Sequence, residues 1–263
     1  MHEYYFLILD CLLIGATSGI IYGLFGSGGG IVMIPGYIYA LRHFSLADHY
    51  QMQIAIATTA TTCAVIAASA AKAHYKAGNV DMKTVKRLIP GLLIGTVLAI
   101  ALLNVIPSVF LKHLFAIAVI FISIWLCFYK AEKDKNKWSL DSKFNHFKCF
   151  VMGLLWFLLG IAVFTVPYLL KNGTDLRKAV GSATVISAIF STIAGVLLIT
   201  TGAFTAGISW SHLGYFNLPL SISTLISSII VAYYTSKLSH HIPRPVLKYS
   251  YAGLVLLVGI LML

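Results

Sequence analysis

The chain has 263 residues, 59% of them hydrophobic and only 10% charged, with a formal net charge of +11. Its mean hydropathy is +0.89. Soluble domains carry about 25% charged residues, so this composition excludes an ordinary water-soluble globule and describes a polytopic membrane protein. Its lysines and arginines lie in short loops between apolar segments, where they orient spans rather than bind nucleic acid.

Apolar segments fall at 4–25, 29–41, 53–71, 88–106, 109–129, 147–170, 179–201, 213–236 and 246–263. Most reach the roughly 20 residues that cross about 30 Å of hydrocarbon. The first has neither a basic run before it nor a cleavage pattern after it, so it is expected to be retained rather than removed as a signal peptide. Between the first two segments lies "GLFGSGGGIVMIPG", Gly23–Gly36. Glycine weakens a helix by roughly 1 kcal/mol relative to alanine. Gly26, Gly28, Gly29 and Gly30 are therefore predicted to form the turn of a broken hairpin, with Pro35 in the short helix that follows. Gly19 and Gly23 are assigned instead to close helix packing.

The third segment opens with "AIATTATT" (55–62) and the seventh with "AVGSATVI" (179–186). These align with each other, and on the same register Gly78 falls on Gly202. "IPSVFLKHLFA" (106–116) aligns with "IPRPVLKYSYA" (242–252), and Pro35 with Pro167. The chain is thus predicted to be two related repeats, 1–130 and 146–263, joined by a Lys-rich cytoplasmic linker at 131–145. If all eight main segments crossed, one side would hold 11 basic residues and the other 8. If the first segment of each repeat turns back inside the membrane, the division becomes 17 against 2, the two being Arg42 and Lys112. The positive-inside rule selects the second arrangement. Each repeat then has a broken, re-entrant hairpin plus three transmembrane helices. The fold class is all-α with inverted-topology repeats, and both termini lie outside the cell membrane (plasma or inner). Inverted repeats with broken helices place substrate at the midplane, where the N–H groups after Gly30 would face it.

Several motifs are set aside. "GSGGG" lacks the Lys-Ser/Thr of a phosphate loop, and Ile31 stands where a dinucleotide fingerprint needs glycine or alanine. Ser27 lacks the preceding glycine of a rhomboid-like nucleophile. The spans hold almost no carboxylate beyond Asp10, so acid–base chemistry and ion coupling lack their groups. His74 and His212 are placed at span ends, His240 and His241 lack a third ligand, and Cys11, Cys63, Cys127 and Cys149 are scattered. No enzyme activity, cofactor or metal is expected.

Hydroxyls carry the remaining chemistry. Thr58, Thr59 and Thr62 in the first repeat, with Ser182, Thr184, Ser187 and Ser191 in the second, are neutral donors suited to an anion's oxygens. The alternative for each is a bond to its own helix or a bridge between helices. Candidate substrate ligands are these residues with Gly28, Gly29 and Gly30. Candidate turn residues are Gly26, Pro35, Gly160 and Pro167.

Taken in order, "GLFGSGGGIVMIP", "AIATTATT", "AHYKAGNVDMKTVKRLIPGLLIG", "KAVGSATVISAIFSTIAG" and "PRPVLKYSYAGLVLLVGILML" resemble the TauE/SafE family of sulfite and organosulfonate exporters. The resemblance covers nearly the whole chain. It departs in the second repeat, where "FLLGIAVFTVP" keeps only Gly160 of the glycine turn. The resemblance implies transport of small sulfur oxyanions by alternating access, with a passive anion channel and a membrane-embedded enzyme as alternatives. Moving a monoanion out of a negative interior gains about 2.3 kcal/mol per 100 mV, so export needs no coupling ion. Expected partners are a small anionic substrate and the lipid bilayer, with a homodimer left open and no nucleic acid.

Overall fold

The computed structural model describes residues 2–25, 28–44, 50–128, 143–158, 165–171, 173–205, 212–239 and 244–263. They form α1 (His2–Phe25), α2 (Gly30–His43), α3 (Gln51–Lys76), α4 (Met82–Val105), α5 (Ser108–Phe128), α6 (Lys143–Leu158), α7 (Thr165–Lys171), α8 (Leu176–Thr205), β1 (His212–Leu213), β2 (Phe216–Asn217), α9 (Leu218–Ser239) and α10 (Arg244–Met262). Among the described residues, 6 helices are long and apolar enough to cross a membrane: α1, α3, α4, α5, α8 and α9. The apolar part of α10, Tyr249–Met262, is shorter. The chain is therefore a helical, multi-pass membrane protein. One detail departs from an all-helical expectation: β1 and β2 pair antiparallel, His212 with Asn217 and Leu213 with Phe216. Residues 143–145, expected in the linker, are the first turn of α6; the linker's remainder, 131–142, lies outside the described residues.

The first apolar segment forms a longer helix than a hairpin limb turning back at mid-membrane requires. With 24 residues, α1 is about 36 Å long at 1.5 Å per residue. Its partner α2 has 14 residues, about 21 Å, too short to cross. The two limbs run antiparallel, with Gly36 over Ile14 and Gly29 over Ser18 and Tyr22. Of α2, Gly30, Ile31, Met33, Ile34, Tyr37, Ile38, Ala40 and Leu41 are buried. It sits among α1, α3 and α10, where Pro35 withholds one backbone donor from its ladder.

The long helices pack in a defined pattern. Helix α1 packs along α9, α4 along α6, α3 along α8 and α5 along α10. Helices α3 and α8 are antiparallel: Gly195 faces Thr61, and Gly181 faces Asn79 and His74. So are α5 and α10, since Ser123 Oγ donates to the Ala252 carbonyl at 2.7 Å and Gly259 faces Ala116 and Ile120. Helices α1 and α9 are parallel, with Gly15 against Thr224 and Gly19 against Ser228. One apolar core joins α1, α2, α3, α5 and α10 around Tyr37, Met33 and Phe115. A smaller one joins α4, α6, α7 and α8 around Leu92, Leu169 and Phe190. Outward residues such as Phe121, Ile117, Val105 and Leu257 are exposed, as a lipid-facing surface requires.

Candidate functional site

The hairpin tip is built from glycine for a steric reason. Gly28 has φ +96°, a conformation side chains rarely adopt, and a Cβ there would run into the Tyr251 hydroxyl. A Cβ on Gly29 would strike the Tyr22 ring and Ser18 Oγ. Ser18 Oγ donates to the Gly29 carbonyl at 3.3 Å. Helix α2 starts with Ile31 N donating to Gly28 O and Met33 N to Gly29 O, both at 3.1 Å. The N–H groups of Gly29 and Gly30 find no acceptor among the described residues. Gly26, expected in the same turn, lies outside the described residues, as do Ser27, Gly160, His240 and His241.

From the tip, α2 carries Tyr37 toward α3. The Tyr37 hydroxyl lies 3.4 Å from Thr62 Oγ1, which lies 2.9 Å from Ser221 Oγ on α9. Thr62 Oγ1 gives its own hydrogen to the Thr58 carbonyl at 2.7 Å. A hydroxyl has one hydrogen to give, so Thr62 must accept from both Tyr37 and Ser221. One turn back, Thr58 Oγ1 accepts from the Asn217 N–H at 3.1 Å. Thr59 Oγ1 is buried with no partner among the described residues. The result is a chain of neutral hydroxyls on α2, α3 and α9, buried in the apolar interior about 10 Å along α2 from the tip.

The family model for the sulfite exporter TauE/SafE matches residues 11–262. The chain belongs to the TauE/SafE family. It is 26% identical over 263 residues to a "probable membrane transporter protein" of Haemophilus influenzae, covering 96% of this chain and 97% of the relative. A protein of the same description from Bacillus subtilis is 25% identical, with 90% and 92% covered. A third, from Methanocaldococcus jannaschii, is 26% identical, with 99% and 98% covered. No solved structure matches the chain.

In this TauE/SafE chain, the hydroxyls of the second half sit apart from the Thr62 chain. Ser182 Oγ accepts from the Asp81 N–H at 2.9 Å, and Thr184 Oγ1 bonds back to the Val180 carbonyl at 2.8 Å. Ser187 is buried and Ser191 half-buried on the same helix. Because α3 and α8 are antiparallel with Thr61 opposite Gly195, Ser187 and Thr184 are displaced from the level of Thr62 by about 10 and 15 Å. Thr58 and Thr62 therefore share a locality with each other and with Tyr37, but not with Thr184 and Ser187. Pro167 lies in the short helix α7, against α8.

Sequence reasoning missed Tyr37, Ser18 and Ser221. Tyr37 and Tyr39 look alike in "GIVMIPGYIYALRH", yet Tyr37 is 0% exposed and Tyr39 58%. The helical period separates them, because Tyr37 falls on the face of Gly30, Met33 and Ile34. Ser221, Thr224 and Ser228 form a second readable signal, a buried hydroxyl stripe at helical spacing on α9.

Proposed function

We propose that this protein is a transporter of small sulfur-containing anions, such as sulfite or sulfonates, working as an exporter by alternating access around the hairpin tip. The observation that carries the reading is the Tyr37–Thr62–Ser221 hydroxyl chain, buried beside the middle of α2. Neutral hydroxyls and helix-start N–H groups stabilise an anion's oxygens without bringing a permanent charge into the membrane. The buried, unpartnered Thr59 Oγ1 supplies one more donor at the same level. The family and the transporter descriptions of its relatives support the class.

Alternating access needs two bundles that can rock against each other. The inverted-repeat reading is supported by the packing, in which equivalent helices α3 and α8, and α5 and α10, run antiparallel. It is also supported by exchanged partners: the first helix of each half packs on the fourth helix of the other, α1 on α9 and α6 on α4.

The test is flux of labelled sulfite into proteoliposomes, with counterflow. Saturable flux with counterflow is expected. A hydrogen bond to a charged group contributes roughly 1.5–3 kcal/mol, so Tyr37→Phe and Ser221→Ala, which remove the hydroxyls able to turn from Thr62 to a ligand, should each weaken half-saturation about tenfold or more in protein that remains folded. Linear, non-saturating flux would make the protein a pore. Unchanged half-saturation in both variants would move the site away from the hydroxyl chain.

A further inference from the structure

A cavity of about 560 Å³ opens at the end of the bundle where α2 finishes, α3 begins and α4 turns into α5. Arg42, Lys112 and His113 line it, and among the described residues no aspartate or glutamate does. Of the 19 lysines and arginines, Arg42 and Lys112 are the two that the sequence assigns to this end. Both line the same cavity, where a random scatter over the surface would separate them.

The polar floor of the cavity is fixed. The Gln53 amide donates to the carbonyls of Leu103 at 3.2 Å and Ile106 at 3.0 Å, and its Oε1 accepts from Ser108 Oγ at 2.6 Å. Ser108 Oγ accepts in turn from the Met52 N–H at 2.9 Å. Arg42 Nε donates to Gln51 Oε1 at 2.9 Å, which holds the guanidinium at the rim and leaves its other donors for a ligand. Lys112 is half-buried and has no hydrogen-bond or ion-pair partner among the described residues. A cation held partly out of water without a counter-charge favours an anion beside it.

We propose that this cavity is a binding vestibule for a small soluble oxyanion, a sulfonate or a sulfur oxyacid anion, held by Arg42 and Lys112. Its role as a vestibule rests on the transporter reading; its anion binding does not. Helix α2 links the two places. Ile38 and Arg42 line the cavity, and Tyr37, about 7.5 Å along the axis from Arg42, is the first hydroxyl of the buried chain. An anion held here stands about 18 Å along α2 from the hairpin tip at Gly30.

Labelling at the cavity wall tests this without relying on transport. Val109 lines the cavity and is exposed. In Val109→Cys protein, reconstituted in phosphatidylcholine, labelling by the anionic sulfonatoethyl methanethiosulfonate should outpace labelling by its cationic trimethylammonio counterpart, relative to the reagents' free rates, by about tenfold. Adding Arg42→Gln and Lys112→Gln should bring the two rates together, and excess methanesulfonate should slow labelling only while both cations are present. Equal rates in the starting protein, or no protection by methanesulfonate, would overturn the proposal. Protection that appears only with phosphatidylglycerol would also overturn it, by assigning the cations to a lipid headgroup. Sulfite flux in the same vesicles separates the two ideas. Protection without flux leaves the vestibule standing and removes the transporter reading, and saturable flux without protection does the reverse.

Discussion

Two junctions occupy the same place on the repeat register proposed from the sequence, and they are built differently. Where α3 gives way to α4, Ser182 Oγ on α8 accepts the backbone N–H of Asp81, the residue that caps α4. Where α8 gives way to α9, Thr58 Oγ1 on α3 accepts the backbone N–H of Asn217, whose side chain accepts from Leu220 N at the start of α9. Thr58 pairs with Ser182 at a sequence offset of 124, and Asp81 with Asn217 at an offset of 136. The second half therefore inserts twelve residues between Gly202 and Asn217, and β1, β2 and the fully buried Tyr215 lie in them. The insertion packs into the bundle, and its cap residue Asn217 is neutral and 8% exposed. The shorter junction keeps an acidic cap, Asp81, with Lys178 of α8 acting on it. The difference teaches what the paired hydroxyls do. Thr58 and Ser182 are clamps that satisfy a helix-start donor at each junction, so the proposed ligand contacts are Tyr37, Ser221 and Thr59.

The largest effect expected from breaking this comparison is at the equivalent glycines. A Cβ on Gly202 would meet the backbone nitrogen and ring of Tyr215, whereas nothing lies within 4 Å of a Cβ on Gly78. Gly202→Ala must push the inserted hairpin away from α8, at about 3 kcal/mol. Gly78→Ala is strained only through its φ of +70°, which costs about 1 kcal/mol. Melting temperatures of the two variants in the same detergent check the order. Equal losses would mean that Tyr215 is not wedged against α8.

A smaller contrast separates the clamps themselves. Thr58→Val leaves the Asn217 N–H buried without an acceptor, a loss of about 2 kcal/mol. Ser182→Ala exposes the Asp81 N–H at a junction that water reaches, and about 0.5 kcal/mol is expected there. Neither should change anion half-saturation in folded protein by more than about twofold, since each hydroxyl is held at a helix junction by the N–H it accepts. A tenfold weakening by Thr58→Val would return Thr58 to the binding site.

Much of this architecture was legible in the sequence, because it rests on local signals. Apolar run lengths marked the spans, and the glycine cluster with Pro35 marked the break between α1 and α2. The offset between "AIATTATT" and "AVGSATVI" sets Thr58 against Ser182, and each accepts a backbone N–H at a helix junction. What stayed hidden depends on which helices meet. Nothing in the sequence of α3 says that Thr58 faces Asn217 while Thr62 faces Ser221, as a single turn separates the two. Nor does a hydroxyl-rich pattern say that α8 runs antiparallel to α3, the fact that carries Thr184 and Ser187 away from Thr62. How deep α1 runs is hidden for a related reason. The charge count reports which side a loop faces, and it carries no information on how far a limb travels before turning.

The smallest effect sharpens the contrast between the two caps. Asp81 accepts from Thr84 Oγ1 at 2.7 Å and from the backbone N–H groups of Lys83 and Thr84 at 3.1 and 3.3 Å. The Thr84 hydroxyl above all, helped by those N–H groups and by Lys178, holds the carboxyl below its ordinary value of 3.8. A carboxyl with a depressed pKa in the folded state contributes stability that is fully present above its unfolded value. That contribution is lost as pH falls below 3.8 and through the folded value. The Asp81 junction should therefore loosen in acid, while the Asn217 junction, whose cap does not titrate, should hold. Asparagine caps a helix about as well as aspartate, so Asp81→Asn should cost little at neutral pH and flatten the acid-side decline in melting temperature by the amount Asp81 supplies. The reverse exchange, Asn217→Asp, places an ionisable cap in a buried junction, where desolvation favours the protonated form. Its stability should fall as pH rises, opposite in sign to Asp81. Parallel pH profiles for the two proteins would show that the junctions see the same solvent, and the asymmetry between the halves would then lie only in the length of the loop.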